Sequence, residues 1–294
     1  GVTIDMAAGT STGGGGSDTW APDSLGGARG SRFGDVITGS AIFANVLFGD
    51  AGDDEITGGS SHDVIDGGDG ADTLNGGDGE DRIYAGAGDD EIFGGVDNGI
   101  AEDDIPGELA YDDVLTYSRI VTNFNNRANE NLDLGQGAEN FANGVLVTYT
   151  GAGSGTVAGI DAGSDTFSGI EVILGSKNSD TFDASAAGAL SVNTFTGMAG
   201  SDVFQGGAGV DRVSYDPEVL ARSLQNTTIT FGVGVNMSSV TQLIGGTNLS
   251  SGFAIDMFGT VDTLIDIDEV DGTQWSDGII GSELANTLIG SYLS

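Results

Sequence analysis

Between residues 49 and 95 an aliphatic residue recurs at every ninth position. Each of these residues is the centre of a triplet whose other members are mostly polar or charged, and a glycine-rich stretch separates one triplet from the next. The five central residues are Ile56, Ile65, Leu74, Ile83 and Ile92. Successive side chains of a strand point to opposite faces, so the central residue of each triplet can face a core while its neighbours face outward. The pattern predicts a stack of very short strands joined by tight turns.

An aspartate stands two positions before each of these aliphatic residues. Glycines in the preceding turns let the chain adopt φ > 0 and let neighbouring coils approach closely. A carboxylate is the hard anionic oxygen that Ca²⁺ prefers, and backbone carbonyls of the turns can complete a set of about six to eight ligands. The candidate metal-binding residues of this stretch are Asp54, Asp63, Asp72, Asp81 and Asp90 with Gly49, Gly52, Gly58, Gly67, Gly70, Gly76 and Gly79.

The repeat, G-G-x-G-x-D-x-U-x with U aliphatic, resembles the nonapeptide of the RTX, or haemolysin-type calcium-binding, family. The resemblance implies a parallel β-roll with two nonapeptides per turn and several Ca²⁺ ions, each lying between repeats n and n+2 on alternating sides. On one side it pairs Asp72 with Asp54 and with Asp90. On the other side it pairs Asp63 with Asp81. A disordered acidic linker has no reason to keep an inward aliphatic residue in register over five repeats.

Weaker nonapeptides occur outside this stretch. Asn45 takes the aspartate position ahead of the first regular repeats, and as a neutral oxygen ligand it predicts a weaker site shared with Asp63. In a second run Asn193, Asp202 and Asp211 are nine residues apart. Asn193 therefore pairs with Asp211, whereas Asp202 has no clear partner 18 residues away. All four join the candidate metal ligands.

A longer and looser repeat surrounds the nonapeptides. Residues 1–6 (GVTIDM) recur as residues 252–257 (GFAIDM), and more weakly as residues 144–149 (GVLVTY). An Asp-Thr pair follows each copy, at Asp18, Asp165 and Asp262. Three copies in phase indicate one structural unit used three times. The predicted division is a degenerate unit with an RTX β-roll over 1–95, an insertion over 96–143, a second unit with a short RTX run over 144–215, an insertion over 216–251, and a third unit that starts a further roll over 252–294.

The predicted fold class is all-β: a calcium-binding parallel β-roll, or β-solenoid, with irregular insertions. Residues 114–117 and 145–149 are predicted strands, and residues 118–130 admit a short helix. The alternating pattern over 228–235 suggests an exposed strand pair.

Composition limits the partners and the place of action. The 294 residues include 53 glycines and no cysteine, so disulfides and thiolate metal sites are excluded. A formal net charge of −37 makes contact with nucleic acid and insertion into a membrane unfavourable. Because metal affinity becomes folding free energy when a site does not pre-exist, we expect the calcium-free chain to be expanded and the loaded chain folded. Cytosolic Ca²⁺ is too scarce for affinities of about 10⁻⁴–10⁻³ M, which places the folded form outside the cell.

Signatures of catalysis lack their structural context. Residues 9–13 match G-x-S-x-G with no helical pattern after them, and residues 153–158 match the loose dinucleotide fingerprint without a strand-to-helix setting. His62 is the only histidine, and it occupies a variable turn position beside Asp63, so a two-histidine zinc-protease motif is excluded. We expect no enzymatic activity.

The expected function is structural or adhesive. The resemblance implies a segment of a secreted bacterial RTX protein of the cell-surface adhesin, S-layer or extracellular-filament type, exported by type I secretion and folded by Ca²⁺ after export. Its expected partners are Ca²⁺, further copies of the protein, and surface polysaccharide or the cell surface. The alternative is an accessory calcium-binding module of a secreted polysaccharide-modifying enzyme or protease whose catalytic domain lies outside this chain. Both ends fall within repeats, so we expect an internal fragment of a larger protein.

Overall fold

A computed structural model describes residues 1–96, 114–117, 143–215, 232–273 and 276–290. The described residues form strands and turns and contain no helix. In chain order the strands are β1 Val2–Asp5, β2 Thr10–Gly13, β3 Gly16–Thr19, β4 Gly27–Arg29, β5 Val36–Thr38, β6 Val46–Ala51, β7 Glu55–Gly59, β8 Val64–Asp69, β9 Thr73–Asp78, β10 Arg82–Ala87, β11 Glu91–Val96, β12 Val114–Thr116, β13 Leu146–Gly151, β14 Ser154–Gly159, β15 Gly163–Ser168, β16 Val172–Leu174, β17 Thr181–Asp183, β18 Val192–Thr196, β19 Val203–Gln205, β20 Val210–Ser214, β21 Gly234–Asn236, β22 Gln242–Ile244, β23 Thr247–Leu249, β24 Phe253–Ile255, β25 Val261–Ile265, β26 Glu269–Asp271, β27 Gly278–Ile280 and β28 Thr287–Ile289.

These strands form two long sheets and one small hairpin. The wide sheet has sixteen strands in the order β27-β21-β24-β25-β19-β17-β13-β14-β15-β11-β9-β7-β5-β1-β2-β3. The narrow sheet has ten strands in the order β28-β26-β20-β18-β16-β12-β10-β8-β6-β4. Within the part of the chain that the structure describes, strands β22 and β23 pair only with each other. The all-β fold with mostly parallel sheets confirms the predicted fold class.

The regular nonapeptides alternate between the two sheets, so two of them make one turn of the roll. Each strand pairs in parallel with the strand 18 residues later: Ile56 lies beside Leu74 in the wide sheet, and Ile65 beside Ile83 in the narrow sheet. All four side chains are fully buried between the sheets. Burying one such side chain stabilises a fold by about 1.5–3 kcal/mol, so the aliphatic stack is the main apolar contribution of this stretch.

Three antiparallel units interrupt the parallel order of the wide sheet: β1–β2–β3, β13–β14–β15 and β21–β24–β25. The first strand of each unit pairs in parallel with the run that follows, at β5, β17 and β27. The third strands of the second and third units pair in parallel with the preceding run, at β11 and β19. Each unit thus adds two strands to the wide sheet alone, and three such pairs account for the difference between sixteen and ten strands.

The third unit begins earlier than the sequence repeat predicts. Its first strand is β21, where Val235 lies beside Ile279 just as Val147 lies beside Phe182 in the second unit. The segment at 252–257 instead supplies the second strand, β24. Val235 is fully buried, so the prediction of an exposed strand pair is wrong for residues 234–235, and residues 228–231 lie outside the described part. The hairpin β22–β23, inserted between the first and second strands, hides this unit in the sequence.

The strands predicted at residues 114–117 and 145–149 are confirmed as β12 and β13. Strand β12 lies inside the predicted insertion 96–143 but forms a rung of the narrow sheet between β10 and β16. Strand β13 covers the other prediction, extended to Gly151. The admitted helix at 118–130 lies outside the described residues. The unit boundaries at 95, 143 and 215 stay predictions, because residues beside them are likewise outside the described part.

Candidate calcium-binding turns

On one side of the roll, the turns that lead from the narrow to the wide sheet each place an aspartate just before a strand. The Asp54 N–H donates to Asp72 Oδ1 at 2.8 Å, the Asp72 N–H to Asp90 Oδ1 at 2.9 Å, and the Asp90 N–H to Asp165 Oδ1 at 3.1 Å. The Asp35 N–H likewise donates to Asp54 Oδ1 at 2.7 Å. We call this series the wide-sheet ladder, since one oxygen of each carboxylate ties its turn to the turn before.

The opposite turns carry an equivalent series, the narrow-sheet ladder. The Asn45 N–H donates to Asp63 Oδ1 at 2.6 Å, and the Asp63 N–H donates to Asp81 Oδ1 at 2.7 Å. The structure therefore brings together the predicted pairs, repeat n with repeat n+2, on alternating sides of the roll.

The second carboxylate oxygen of these turns has no hydrogen-bond donor. The Oδ2 atoms of Asp54, Asp63, Asp72 and Asp90 are buried and accept no hydrogen bond, and Asp202 of the second run shares this property. Burying a charged oxygen without a partner is costly, because the lost interaction with water is not replaced. These oxygens are therefore the atoms of the turn that need a positively charged neighbour.

A second acceptor converges on the Oδ2 atoms of Asp54, Asp63 and Asp72, beside the first glycine of the repeat. A Cβ built on Gly67 would lie 2.5 Å from Asp72 Oδ2 and 2.6 Å from the carbonyl oxygen of Ala85. The same convergence of a carboxylate oxygen with the carbonyl 18 residues later occurs at Gly49, Gly58 and Gly76. Two acceptors that face one gap without a donor between them suit a cation and leave no room for a side chain.

The predicted glycines have two separate roles in these turns. The first glycine of each repeat gives the space just described. The glycine at the fourth position has a left-handed backbone, with φ of 113° at Gly52, 142° at Gly70 and 126° at Gly79. Side-chain-bearing residues rarely adopt such angles. A Cβ there would also lie 2.1–2.8 Å from a backbone atom of the neighbouring turn, so glycine is needed both for conformation and for close approach.

Burial raises the pKa of the ladder carboxyls far above the ordinary aspartate range. It raises the pKa of Asp54 to about 6, of Asp63 and Asp72 to about 7, and of Asp90 to about 8. Backbone hydrogen bonds oppose this rise, while nearby carboxylates add to it at Asp54, Asp72 and Asp90. The protein alone thus does not offset the negative charge that it buries.

The donor set fits calcium. Among the described residues no three acidic or histidine side chains gather at one point, so a cation would rely on one or two carboxylates and on backbone carbonyls. Oxygen-only coordination of this kind is what Ca²⁺ accepts. The groups placed to hold it are the carboxylates of Asp54, Asp63, Asp72 and Asp81 and the carbonyls of Gly67, Gly76, Ala85 and Gly94. Bound calcium would supply the positive charge that these oxygens lack.

The two predicted asparagine ligands lie in different surroundings. Asn45 directs Nδ2, not its oxygen, to Asp63 Oδ1 at 2.8 Å, while its Oδ1 accepts the Ser40 N–H at 2.8 Å. In this structure an N–H donor, and not the predicted oxygen, faces Asp63, and the weaker calcium site at Asn45 stays a prediction. Asn193 Nδ2 meets its predicted partner Asp211 at 2.8 Å, but Gly207 N–H occupies the other oxygen of Asp211 at 2.7 Å. In this pair the buried acceptor without a donor is Asn193 Oδ1.

Asp202 has the neighbours that sequence spacing failed to show. The Asp180 N–H donates to Asp202 Oδ1 at 2.8 Å, and the Asp202 N–H donates to Asp262 Oδ1 at 3.0 Å. These neighbours are 22 and 60 residues away rather than 18. Burial raises the pKa of Asp202 to about 9. The Asp-Thr pair at Asp262 was the available signal, but it marked a unit and not a ladder position.

Two tyrosines end the series of donor-free oxygens. Tyr117 Oη donates to Asp165 Oδ2 at 2.7 Å, and Tyr215 Oη donates to Asp262 Oδ2 at 3.0 Å; all four residues are buried. Tyr215 stands four residues after Asp211, where a regular repeat has its first glycine. At Asp165 and Asp262, a tyrosine hydroxyl thus donates to the Oδ2 atom that has no donor in the regular turns.

Comparison with known proteins agrees with this geometry. A family model described as RTX calcium-binding nonapeptide repeat (4 copies) matches residues 42–74, 66–101 and 188–216. No curated protein matches the chain. The matched ranges contain the regular turns and the second run. The chain therefore contains RTX calcium-binding nonapeptide repeats, which bind Ca²⁺ and form the β-roll.

Proposed function

We propose that the chain is a structural segment of a secreted or cell-surface protein, of the adhesin, S-layer or extracellular-filament type, whose fold is completed by Ca²⁺ after export. The observation that carries the proposal is the stacked series of buried carboxylate oxygens without donors, of which those of Asp54, Asp63 and Asp72 each face a carbonyl of the next turn. Such turns bind a cation as part of the scaffold. The role is distributed along the roll and is not gathered at one pocket.

Charge supports calcium as the switch for folding. The chain has 45 acidic and eight basic residues, and the ladders bury several of the acidic side chains. Without a cation, folding must either protonate these carboxyls or bury their charge. Because metal binding then contributes directly to folding free energy, the chain gains its stability where free Ca²⁺ is plentiful. RTX repeats are typical of type I secreted extracellular proteins, which supports the same location.

We propose that this segment is not itself catalytic. The lone histidine supports this view: His62 Nδ1 lies 3.4 Å from a carboxylate oxygen of Glu80, and both side chains are partly exposed in adjoining turns. None of the described residues forms a helix long and apolar enough to cross a membrane. The roll would offer its surface to copies of the same protein or to surface polysaccharide.

Folding on calcium can be tested directly. Protein stripped with EGTA is titrated with Ca²⁺ while far-UV circular dichroism follows β-structure and calorimetry counts the ions. We expect β-structure to appear with the binding of several ions, and Mg²⁺ to have little effect because it dehydrates reluctantly and demands stricter geometry. A chain whose spectrum and unfolding midpoint are the same with EGTA and with Ca²⁺ would contradict the proposal.

A further inference from the structure

Two adjoining turns of the second run form an exposed apolar surface on one side of the roll. They cover residues 184–192 and 206–210, and each leads from the wide sheet to the narrow sheet. Leu190 is 97% exposed. Val192 and Val210, which lie side by side on β18 and β20, are 54% and 37% exposed. We call these two turns the apolar patch.

Close backbone packing makes the two turns one continuous surface. A Cβ built on Gly207 would overlap the carbonyl oxygen of Ala184. One built on Gly209 would lie 2.6 Å from the carbonyl oxygen of Ser191. The N–H and the hydroxyl of Ser191 both donate to the carbonyl of Gly188, at 2.9 and 2.6 Å. The first turn is thus shaped by its own hydrogen bonds and by its contact with the second turn.

The roll continues on both sides of the apolar patch. In the narrow sheet β16 pairs with β18, and β26 pairs with β20. In the wide sheet β13 and β25 flank the strands that lead into the two turns. The exposure of the patch therefore does not depend on where the chain begins or ends.

The apolar patch has no charged residue, whereas acidic residues border it. Between Asp183 and Asp211 the only charged residue of the sequence is Asp202, which is buried. Asp183 directly precedes the first turn, and the exposed Asp266 has its backbone against Gly206 of the second turn. An exposed apolar surface with a polar rim, and with charge depleted at its centre, is typical of a protein–protein contact.

The equivalent turns of the first run are polar. His62 and Glu80 hold the positions directly before the ladder aspartates, where the second run has Val192 and Val210. Their side chains lie 3.4 Å apart and are partly exposed. The apolar patch is therefore a property of the second run and not of the nonapeptide as such.

Charge and shape favour a second copy of the chain as the partner. With a net charge of −37, two copies repel each other and approach closely most readily where charge is absent. The patch also combines a protruding side chain, Leu190, with a flatter apolar area formed by Val192 and Val210. A two-fold contact uses both on one surface, because residue i of one copy meets residue j of the other and the reverse holds as well.

We propose that two copies of this chain pair through their apolar patches about a two-fold axis, with Leu190 of each copy packing on Val192 and Val210 of the other. The pairing rests on the proposed function, because these turns take their shape in the folded roll. The patch has fewer residues than the about 20–30 per side of a standard interface, so the dimer is weak and reversible. Acidic rims face each other in the pair, so the pairing strengthens as salt rises.

The first test measures mass by light scattering over a range of concentrations, at low and high salt in saturating Ca²⁺. Circular dichroism first shows that each variant of the full chain folds. Leu190→Asp places a charge at the centre of the contact. Leu284→Asp is the matched control, since Leu284 is 81% exposed in the turn that precedes β28.

The second test maps the contact by cross-linking. The chain has no cysteine, so single-cysteine variants report one position each. Leu190→Cys is mixed with Val192→Cys in the presence of oxidised glutathione, and disulfide-linked pairs are counted on a non-reducing gel. Leu284→Cys mixed with Val192→Cys is the control.

We expect the mass of the unaltered chain and of Leu284→Asp to approach about twice that of the monomer and to rise no further, as a closed two-fold contact requires. Leu190→Asp should stay monomeric, and Val192→Cys should cross-link to Leu190→Cys but not to Leu284→Cys. A Leu190→Asp variant that still pairs, assemblies larger than a dimer, or cross-linking without this preference would overturn the inference.

The two proposals fail in different ways. A calcium-folded chain that stays monomeric at every concentration would overturn the pairing and leave the proposed function intact. A chain that folds equally well in EGTA would contradict the proposed function, and the same mass measurement in EGTA would then decide the pairing. A chain that does not fold in Ca²⁺ would refute the proposed function and with it the surface on which the pairing rests.

Discussion

Asp72 is the ladder residue that two predicted calcium sites share, and Asp72→Asn separates its charge from its hydrogen bonds. Asparagine keeps the size of the side chain and an Oδ1 that accepts the Asp54 N–H, a bond of 2.8 Å in the structure. It also leaves the backbone N–H free to donate to Asp90 Oδ1 at 2.9 Å. What it removes is the negative charge on the donor-free Oδ2. Asp72→Asn should therefore raise the stability of the calcium-free fold and lower the stability of the calcium-bound fold.

Without calcium the variant should be more stable than the unaltered chain. Burial raises the pKa of Asp72 from 3.8 to about 7, so the folded chain binds this proton more tightly than the unfolded chain. The stability of the calcium-free fold then falls as pH rises from about 4 to about 7, and the whole penalty is present at pH 8. At about 1.4 kcal/mol per pH unit, the penalty is about 4 kcal/mol, which asparagine relieves.

With calcium bound, Asp72→Asn should instead lower the stability of the fold. A site at about 100 times its dissociation constant contributes about 2.7 kcal/mol to folding, so weakening two sites costs up to about 5 kcal/mol. Asp90→Asn should cost about half as much, because the next carboxylate, Asp165, gives its Oδ2 to Tyr117 and leaves Asp90 in one predicted site. Asp69→Asn is the matched control, since Asp69 is an exposed aspartate of a neighbouring turn.

The measurement is urea unfolding at pH 8, followed by far-UV circular dichroism, once in EGTA and once in saturating Ca²⁺. If Asp72→Asn loses stability in both buffers, its carboxylate serves the hydrogen bonds and not a cation. If Asp72→Asn and Asp90→Asn lose the same amount in Ca²⁺, the sharing of Asp72 between two sites is refuted.

Three further perturbations test other parts of the turns. Gly67→Ala should remove about one bound ion in calorimetry, because its methyl enters the gap between two acceptor oxygens, whereas Gly14→Ala, with open space around it, should change nothing; an unchanged ion count would contradict the site. Calcium affinity should fall as pH is lowered from about 8 to about 5, since burial raises the pKa of Asp90 to about 8 and protons then compete with the ion. Calorimetry in buffers of different ionisation enthalpy should show proton release, and its absence at pH 7 would refute the assignment. Tyr215→Phe should destabilise the calcium-free fold by about 1–3 kcal/mol in urea unfolding, because Asp262 Oδ2 loses its donor; no loss would mean that the phenol is dispensable.

The regular repeats were predictable because spacing in sequence and neighbourhood in space coincide there. A period of 18 residues places Ile65 beside Ile83 and Asp54 beside Asp72. The strand register, the side of the roll on which each aspartate lies and the core residues therefore follow from counting along the sequence. The strands predicted at residues 114–117 and 145–149 rest on a local signal as well, since both are short runs rich in strand-forming residues. In each case a short local pattern decides the structure, and no distant segment intervenes.

Counting fails where ladder neighbours are far apart in the sequence. Asp165 follows Asp90 in the wide-sheet ladder although it lies 75 residues later, and it belongs to β15, the third strand of its antiparallel unit. The repeat also does not show which outward-facing side chains are covered by other residues. Arg82 and Tyr84 point away from the core and are nevertheless buried. The contact of Asn45 could not be read from its residue type, because an amide offers a donor as well as an acceptor and this turn directs the donor to Asp63.

The calcium content of the roll then depends on the turn sequence and not on the number of ladder aspartates. In both ladders, the Oδ1 atom of the aspartate accepts a backbone N–H of the neighbouring turn, but the partner of Oδ2 varies. Where the turn reads Gly-Ser or Gly-Thr, a backbone N–H donates to Oδ2, at 2.7 Å from Ser176 to Asp180 and at 2.7 Å from Thr273 to Asp277. Tyr117 and Tyr215 donate to it at Asp165 and Asp262, and Gly207 N–H donates to it at Asp211. In the turns before Asp54, Asp63, Asp72, Asp90 and Asp202 it has no donor. The roll thus alternates stretches that need calcium with stretches that satisfy themselves, so partial loss of calcium should loosen residues 49–95 before the antiparallel units that flank them.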